Sequence, residues 1–357
     1  MSIVSIGGRW IGRDFPTYFI ADIAANHDGD LERAKMLIDL AKDAGADAVK
    51  FQHHDCKKYV SDYGFKSLGS KQSHQAKWEK SIYEIYKDAE VPTTWTDVLH
   101  DYCIERDVHF FSTPYDIEMI DHLDPYVPAY KIGSGDVNWH KMLTSIASRK
   151  KPVIFSTGAA TIGEVQEAVD VLSKENDQLI MLQCNTNYTG NEDNFHHIHL
   201  NVLKTYQTMY PDIVIGLSDH TPGDVTVLGA VTLGARVIEK HFTDDTTRSG
   251  PDHPFSMDPK TWREMVHRTR LLERSLGVAE KFVQENETET IVLQRRAVRV
   301  CESVSEGDTI TENVIRFQRP CPPDALSIND IEKYIGMKFS RDIVSGDYIK
   351  ISDIELK

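Results

Sequence analysis

Long apolar runs are missing from the chain: nothing approaches the roughly eighteen consecutive apolar residues that cross a bilayer, so a membrane-spanning protein is not expected. The first residues, MSIVSIGGRW, lack a charged segment followed by an apolar block, and no secretory signal is read there. Cysteine is scarce. The five present (Cys56, Cys103, Cys184, Cys301 and Cys321) are odd in number, widely scattered and never spaced as CxxC. That excludes a disulfide framework and a zinc ribbon and fits a reducing, cytoplasmic setting. Positive charge is in the minority: 40 Lys and Arg against 55 Asp and Glu give a net charge of −15. A nucleic-acid binder draws its affinity from a basic face, so no nucleic-acid partner is expected. A small anionic substrate stays open, because a buried site can be locally positive beneath an acidic surface. There is also no GxGxxG after the first strand-like run, which weighs against an open dinucleotide-binding sheet.

What is present reads as a soluble α/β chain. Its 357 residues, 40% hydrophobic and 27% charged, suffice for one large barrel and a small second domain. Short β-rich apolar runs fall at 18–24, 48–52, 108–113, 129–134, 152–157, 179–185, 213–218 and 237–242. Several are continuously apolar, as in parallel strands covered on both faces. Between most of them lie helical patterns. Leu31, Ala34, Leu37, Ile38 and Ala41 share one face, with Gly45 placed for a C-terminal cap. Thr161 and Glu164 read as a capping box, while Thr221–Pro222 and Asp258–Pro259 read as helix starts. Eight alternations over about 280 residues predict a (β/α)8 TIM barrel, with an insertion after the second strand, helical around 75–88. Residues 283–293 are polar and read as a linker between a barrel of 1–282 and an all-β domain of 294–357. In that tail, short strands are expected at 299–301, 315–318 and 348–351, and VSEGDTI at 304–310 is echoed by VSGDYI at 344–349.

Polar residues cluster where the predicted strands end: Asp22 to Gly29, Lys50 to Gln52, Ser112 to Pro114, Lys131 to Asp136, Ser156 to Gly158, Cys184 to Tyr188, Ser218 to His220, and Glu239 to His241. In a barrel these ends converge on one mouth, where active sites sit. His220 and His241 end adjacent strands and can share a divalent cation. With only two nitrogens and a water-rich shell, Mn²⁺ is favoured, with Mg²⁺ or Co²⁺ as alternatives. Singly, each is more simply a satisfied structural histidine; together at one mouth, the shared cation is the better reading. Lys50 and Lys131 end apolar strands, and a lysine facing a barrel interior must be paired, neutralised or bound to an anion. Snorkelling to the rim and a Schiff-base role are the other readings. Ser134, Ser156, Ser218 and Thr113 add hydroxyls, and Asp22 and Asp136 add acids able to bind sugar hydroxyls or move protons.

These motifs resemble the sialic acid synthase family, meaning N-acetylneuraminate synthase and its legionaminate and pseudaminate relatives. The resemblance runs over nearly the whole chain: Asp22-Ile-Ala-Ala-Asn-His-Asp-Gly29, Lys50-Phe-Gln52, Lys131-Ile-Gly-Ser-Gly135, Ser156-Thr-Gly158, Ser218-Asp-His220, Glu239-Lys-His241-Phe and Gly250-Pro-Asp-His253. It implies a TIM barrel followed by an antifreeze-like (SAF) domain, and condensation of phosphoenolpyruvate with an N-acyl mannosamine-type aldehyde. Acceptors of the diacetamido-trideoxy type are the alternative. It further implies metal at His220 and His241, and a phosphoenolpyruvate pocket of Lys50, Thr113, Lys131, Ser134, Ser156, Tyr188 and Ser218. Thr186 is expected beside it, and Gln52, Asp136 and Asp252 would meet the sugar. Arg319 matches the arginine that a partner subunit's SAF domain presents, which implies a domain-swapped homodimer. The chain departs from the family at Asp22 and Asp136, where the family carries Glu, and at Cys321-Pro-Pro-Asp-Ala-Leu326, where the family is Gly-rich. A condensing aldolase for phosphorylated arabinose or erythrose and a non-catalytic carbohydrate-binding protein are the remaining readings.

Overall fold

The computed structural model describes residues 3–68 and 80–355. The chain divides into two compact units, 1–277 and 278–357.

The first unit opens with a hairpin, β1 (Ile3–Ile6) and β2 (Arg9–Gly12), turned by Gly7 and Gly8. Both glycines have positive φ, the conformation that a two-residue hairpin turn requires. Eight parallel strands follow: β3 (Tyr18–Asp22), β4 (Ala48–His53), β5 (His109–Pro114), β6 (Tyr130–Ile132), β7 (Val153–Ser156), β8 (Leu179–Cys184), β9 (Val214–Asp219) and β10 (Val237–His241). Their order is β5-β4-β3-β10-β9-β8-β7-β6, a nearly closed parallel barrel whose outer strands β5 and β6 lie side by side. All eight coincide with the runs expected from sequence to within two residues at either end.

Side chains alternate between two apolar layers. Tyr18, Ile20, Ala48, Phe111, Ile154 and Ile180 fill the barrel interior, together with Val4, Ile6 and Ile11 of the hairpin, which plug one end. Phe19, Val49, Phe51, Phe110, Phe155 and Ile238 face outward and pack with the helices. The strands therefore read as continuously apolar although their side-chain period is two.

Helix α1 (Leu31–Asp43) buries Ala34, Leu37, Ile38 and Ala41, is capped by Asp30, and ends at Gly45 with φ of 99°. The Thr161–Glu164 capping box and the Asp258–Pro259 helix start both form. Thr221–Pro222 does not start a helix. The helix there spans Val225–Thr232, and the Thr221 hydroxyl instead donates to Asp219. In the insertion after β4, short helices span Cys56–Tyr59, Asp62–Ser67 and Ile82–Asp88 around a small core of Cys56, Val60 and Ile82. The expected helix at 75–88 is thus seen from Ile82; residues 75–79 lie outside the described residues.

In the second unit, the stretch read as a linker carries a turn at Glu285–Glu287 and a helix at Thr288–Gln294. Strands β11 (Ala297–Val300) and β12 (Ile315–Gln318) pair antiparallel. The third expected strand is reduced to a single bridge, Arg299 to Tyr348. The two similar VS…GD segments do form matching turns: Gly307 and Gly346 have φ of 86° and 88°, and Val304 bridges Ile343. Val298, Val300, Ile310, Phe339 and Ile349 form a core of their own.

Candidate active site

Polar side chains replace the inner apolar layer at the C-terminal strand ends. The same alternation that turns Ile20 inward turns Asp22 inward, and it turns Lys50, Gln52, Thr113, Lys131, Ser156, Cys184, Ser218 and Glu239 the same way. With His220 and His241 they line a cavity of about 150 Å³ at the barrel mouth. Ser134, Tyr188 and Asp252 complete the predicted lining residues. Asp136 and Thr186, both expected at the site, are not among the lining residues. Asp136 is half-buried next to the lining residue Gly133, with Oδ2 lacking a hydrogen-bond partner and 3.9 Å from where a Cβ on that glycine would stand. The Thr186 methyl occupies the space beside Gly158, 2.4 Å from where a Cβ would stand. Arg319 is an exposed residue of the second unit, just after β12.

Hydrogen bonds organise the floor. Lys50 Nζ donates to Asp22 Oδ2 at 2.6 Å, and Asp22 Oδ1 accepts the Ala24 N–H. Lys131 Nζ donates to Ser156 Oγ at 2.8 Å and to the Ile132 carbonyl at 3.0 Å, with Glu239 Oε1 3.5 Å away. Ser218 Oγ donates to the same Glu239 oxygen. Burial disfavours the charge on Lys50, but Asp22 and Glu239 outweigh it and hold the ammonium above its usual range. On Lys131 burial prevails, and the ammonium sits below its usual range. Both lysines therefore point into the cavity, as expected, yet neither is free: each has a carboxylate neighbour. Two ammonium groups and two carboxylates nearly cancel, so a multiply charged anion needs a further cation in this floor.

The imidazoles fit that requirement. Their ring centroids are 5.4 Å apart. His220 donates Nδ1–H to the Asn185 carbonyl at 2.8 Å, which leaves Nε2 with its lone pair. His241 Nδ1 is buried without a hydrogen-bond partner, and Asp22 Oδ2 lies 3.5 Å from its Nε2. Burial pushes both imidazoles below their usual range, so they are neutral, the form that ligates a metal. Tyr188 and Phe255 wall the pair, with ring centroids 4.3 Å from His220 and 4.8 Å from His241. Among the described residues no group of three or more His, Cys, Asp or Glu is arranged to hold a metal ion. A cation on these two nitrogens would thus keep open positions for water or substrate oxygens.

Sequence reasoning left Glu239 and Cys184 without roles, although residue spacing places both inward. Spacing gave no signal for the aromatic wall built by the insertion and the β5 loop. Tyr59, Tyr115, His54 and Tyr86 line the cavity there, with Tyr59 and Tyr115 centroids 4.4 Å apart. Two acids are poised to titrate: burial raises Asp136 to about 6 and Asp252 to about 7. Asp252 Oδ2 accepts the Ala25 N–H at 3.1 Å, tying the loop after β10 to the loop after β3.

A β/α barrel with charged groups gathered at its C-terminal strand ends is the architecture of a barrel enzyme. Residues 37–281 match the NeuB family, and the chain belongs to it. It is 37% identical to an uncharacterized protein of Methanocaldococcus jannaschii over 90% of both chains. It is 32% identical to the N,N'-diacetyllegionaminic acid synthase of Campylobacter jejuni, covering 90% of this chain and 95% of that one. A crystal structure of N-acetylneuraminic acid synthetase from Leptospira borgpetersenii superposes with a TM-score of 0.70 at 31% identity, covering 81% of this chain and 95% of that one.

Proposed function

We propose that the chain is a nonulosonic (sialic) acid synthase. It would condense phosphoenolpyruvate with the open-chain aldehyde of an N-acyl mannosamine-type sugar and release phosphate by C–O cleavage. The observation that carries this reading is the convergence of two lysines and two neutral imidazoles on one barrel-mouth cavity, in a chain of the NeuB family.

Lys50 and Lys131, with the hydroxyls of Thr113, Ser134, Ser156 and Ser218, bind the carboxylate and phosphate of phosphoenolpyruvate. Tyr188 closes the side of the pocket next to the imidazoles, and Thr186 supports it from behind Gly158. His220 and His241 would hold a divalent cation, with Mn²⁺ favoured over Mg²⁺ or Co²⁺; when bound, it supplies Lewis-acid polarisation of the aldehyde. Carbon 3 of the enol attacks the aldehyde carbon, and positive charge develops at carbon 2. Asp22 and Glu239 set carboxylates in the same cavity, where they stabilise that charge. Water adds at carbon 2 and gives up both its protons: one ends on the alkoxide formed from the aldehyde oxygen, and the other leaves with phosphate as the carbon 2–bridging oxygen bond breaks and the carbon 2 ketone forms. Gln52, Asp136 and Asp252 meet the sugar; Asp136 and Asp252, raised towards neutrality, can exchange protons there.

The second unit we read as a SAF domain that presents Arg319 to a partner subunit's barrel in a domain-swapped homodimer, and the protein as cytoplasmic. No helix among the described residues is long and apolar enough to cross a membrane. Light scattering tests the dimer: a monomer at micromolar concentration rejects it. The activity test incubates purified protein with Mn²⁺, phosphoenolpyruvate and, in parallel, N-acetylmannosamine, its 6-phosphate and diacetamido-trideoxy hexoses. Phosphate release with one acceptor and a mass-matched product is expected. No metal-dependent release with any acceptor rejects the reading.

A further inference from the structure

Between Ser218 and His220, and between Glu239 and His241, stand two charged residues that the cavity does not use. Asp219 and Lys240 project to the outer face of the barrel and are buried, with side chains 0% and 1% exposed. They are register partners: β9 and β10 pair in parallel with Lys240 opposite Asp219. The Lys240 ammonium donates to Asp219 Oδ2 and, at 2.6 Å, to the Thr221 carbonyl. Asp219 also accepts from the Thr221 hydroxyl at 3.0 Å and from the Thr226 hydroxyl at 2.8 Å. Thr226 belongs to the helix that covers this face, Val225–Thr232.

A buried ion pair is a poor source of stability, since apolar residues of similar volume often serve as well or better. Its distinctive effect is positional. It fixes one strand end against the next, one residue away from each imidazole. We propose that Asp219 and Lys240 are positioning residues that hold His220 and His241 at the spacing a shared divalent cation requires. The inference rests on the cation reading of the site and adds what sets its affinity. A one-residue step along each strand carries the constraint from the outer face to the inner one.

The test is Mn²⁺ titration of the full-length protein, followed by electron paramagnetic resonance, for wild type and for Asp219→Leu/Lys240→Met. Removing both charges leaves none unpaired, and the Thr221 and Thr226 hydroxyls, 2.9 Å apart, remain partners for each other. The double variant is expected to unfold cooperatively, at no lower a temperature than wild type, while its Mn²⁺ dissociation constant rises about tenfold or more. Thr226→Val is the second variant: it keeps both charges, loses one carboxylate contact and gives a smaller rise. A folded double variant with wild-type Mn²⁺ affinity overturns the proposal and leaves the cation reading intact. Should the double variant not fold, wild-type affinity in Thr226→Val overturns it instead. A wild-type protein that binds no Mn²⁺ overturns both.

Discussion

Two buried lysine–aspartate pairs stand in adjacent parts of one barrel and do different work. Lys240–Asp219 faces outward under a helix, and two threonine hydroxyls also donate to its carboxylate. Lys50–Asp22 faces inward, and both residues line the cavity. Composition does not separate the pairs, and neither does burial, since all four side chains are under 5% exposed. The strand face does. A pair enclosed by protein fixes geometry, whereas a pair that borders a cavity keeps capacity to bind something else.

Single substitutions should break the two pairs differently. Lys240→Met leaves the Asp219 carboxylate buried without its cation, away from the barrel-mouth cavity. Unfolding stability should fall by about 3–5 kcal/mol, read as a lower urea midpoint at unchanged slope. Lys50→Met also strands an aspartate, but one that borders the cavity, so its stability loss should be smaller. Its activity loss should be larger: about 10²–10³-fold in kcat/KM for phosphoenolpyruvate, as for removal of one preorganised donor. Equal stability losses in the two variants would erase the distinction between the faces.

The same alternation explains how much was readable in advance. Once a strand run is placed, one inward residue fixes the rest of its face. His241 inward makes Glu239 inward and Lys240 outward, so most of the mouth followed from eight short runs. What failed depended on contacts remote in sequence. The Gly-Gly pair of the β1–β2 hairpin signals a tight turn and no more. The hairpin's role, plugging the barrel end, needs the far side of the chain. Thr221 and Pro222 carry a valid helix-start signal, but Thr221 bonds to Asp219 and the helix begins later. The aromatic wall joins Tyr59 and Tyr86 of the insertion to Tyr115 after β5, a meeting no periodicity encodes. Asp136 follows the lining residues Gly133 and Ser134 on a turn at Ser134–Asp136, which spacing along a strand does not describe.

A smaller effect extends the comparison to histidine. His53 ends β4 on the outward face, where Nδ1 meets Ser112 Oγ at 2.7 Å and Nε2 meets Thr96 Oγ1 at 2.9 Å. Burial lowers its pKa to about 3. In the unfolded chain it titrates near 6.5, so between those values the unfolded state binds a proton that the folded state refuses. The resulting penalty is absent above pH 6.5 and grows as pH falls, by about 1.4 kcal/mol per pH unit. His53→Gln keeps a polar group at the position and removes the titration. Its melting temperature should lie below wild type at pH 7.5, and the gap should narrow by pH 5. Activity per folded molecule at pH 7.5 should stay within about twofold, roughly a fiftieth of the smallest loss expected for an inward-facing cavity group. A gap that stays constant with pH would mean that this histidine is already charged in the fold, or that its environment is not sealed from solvent.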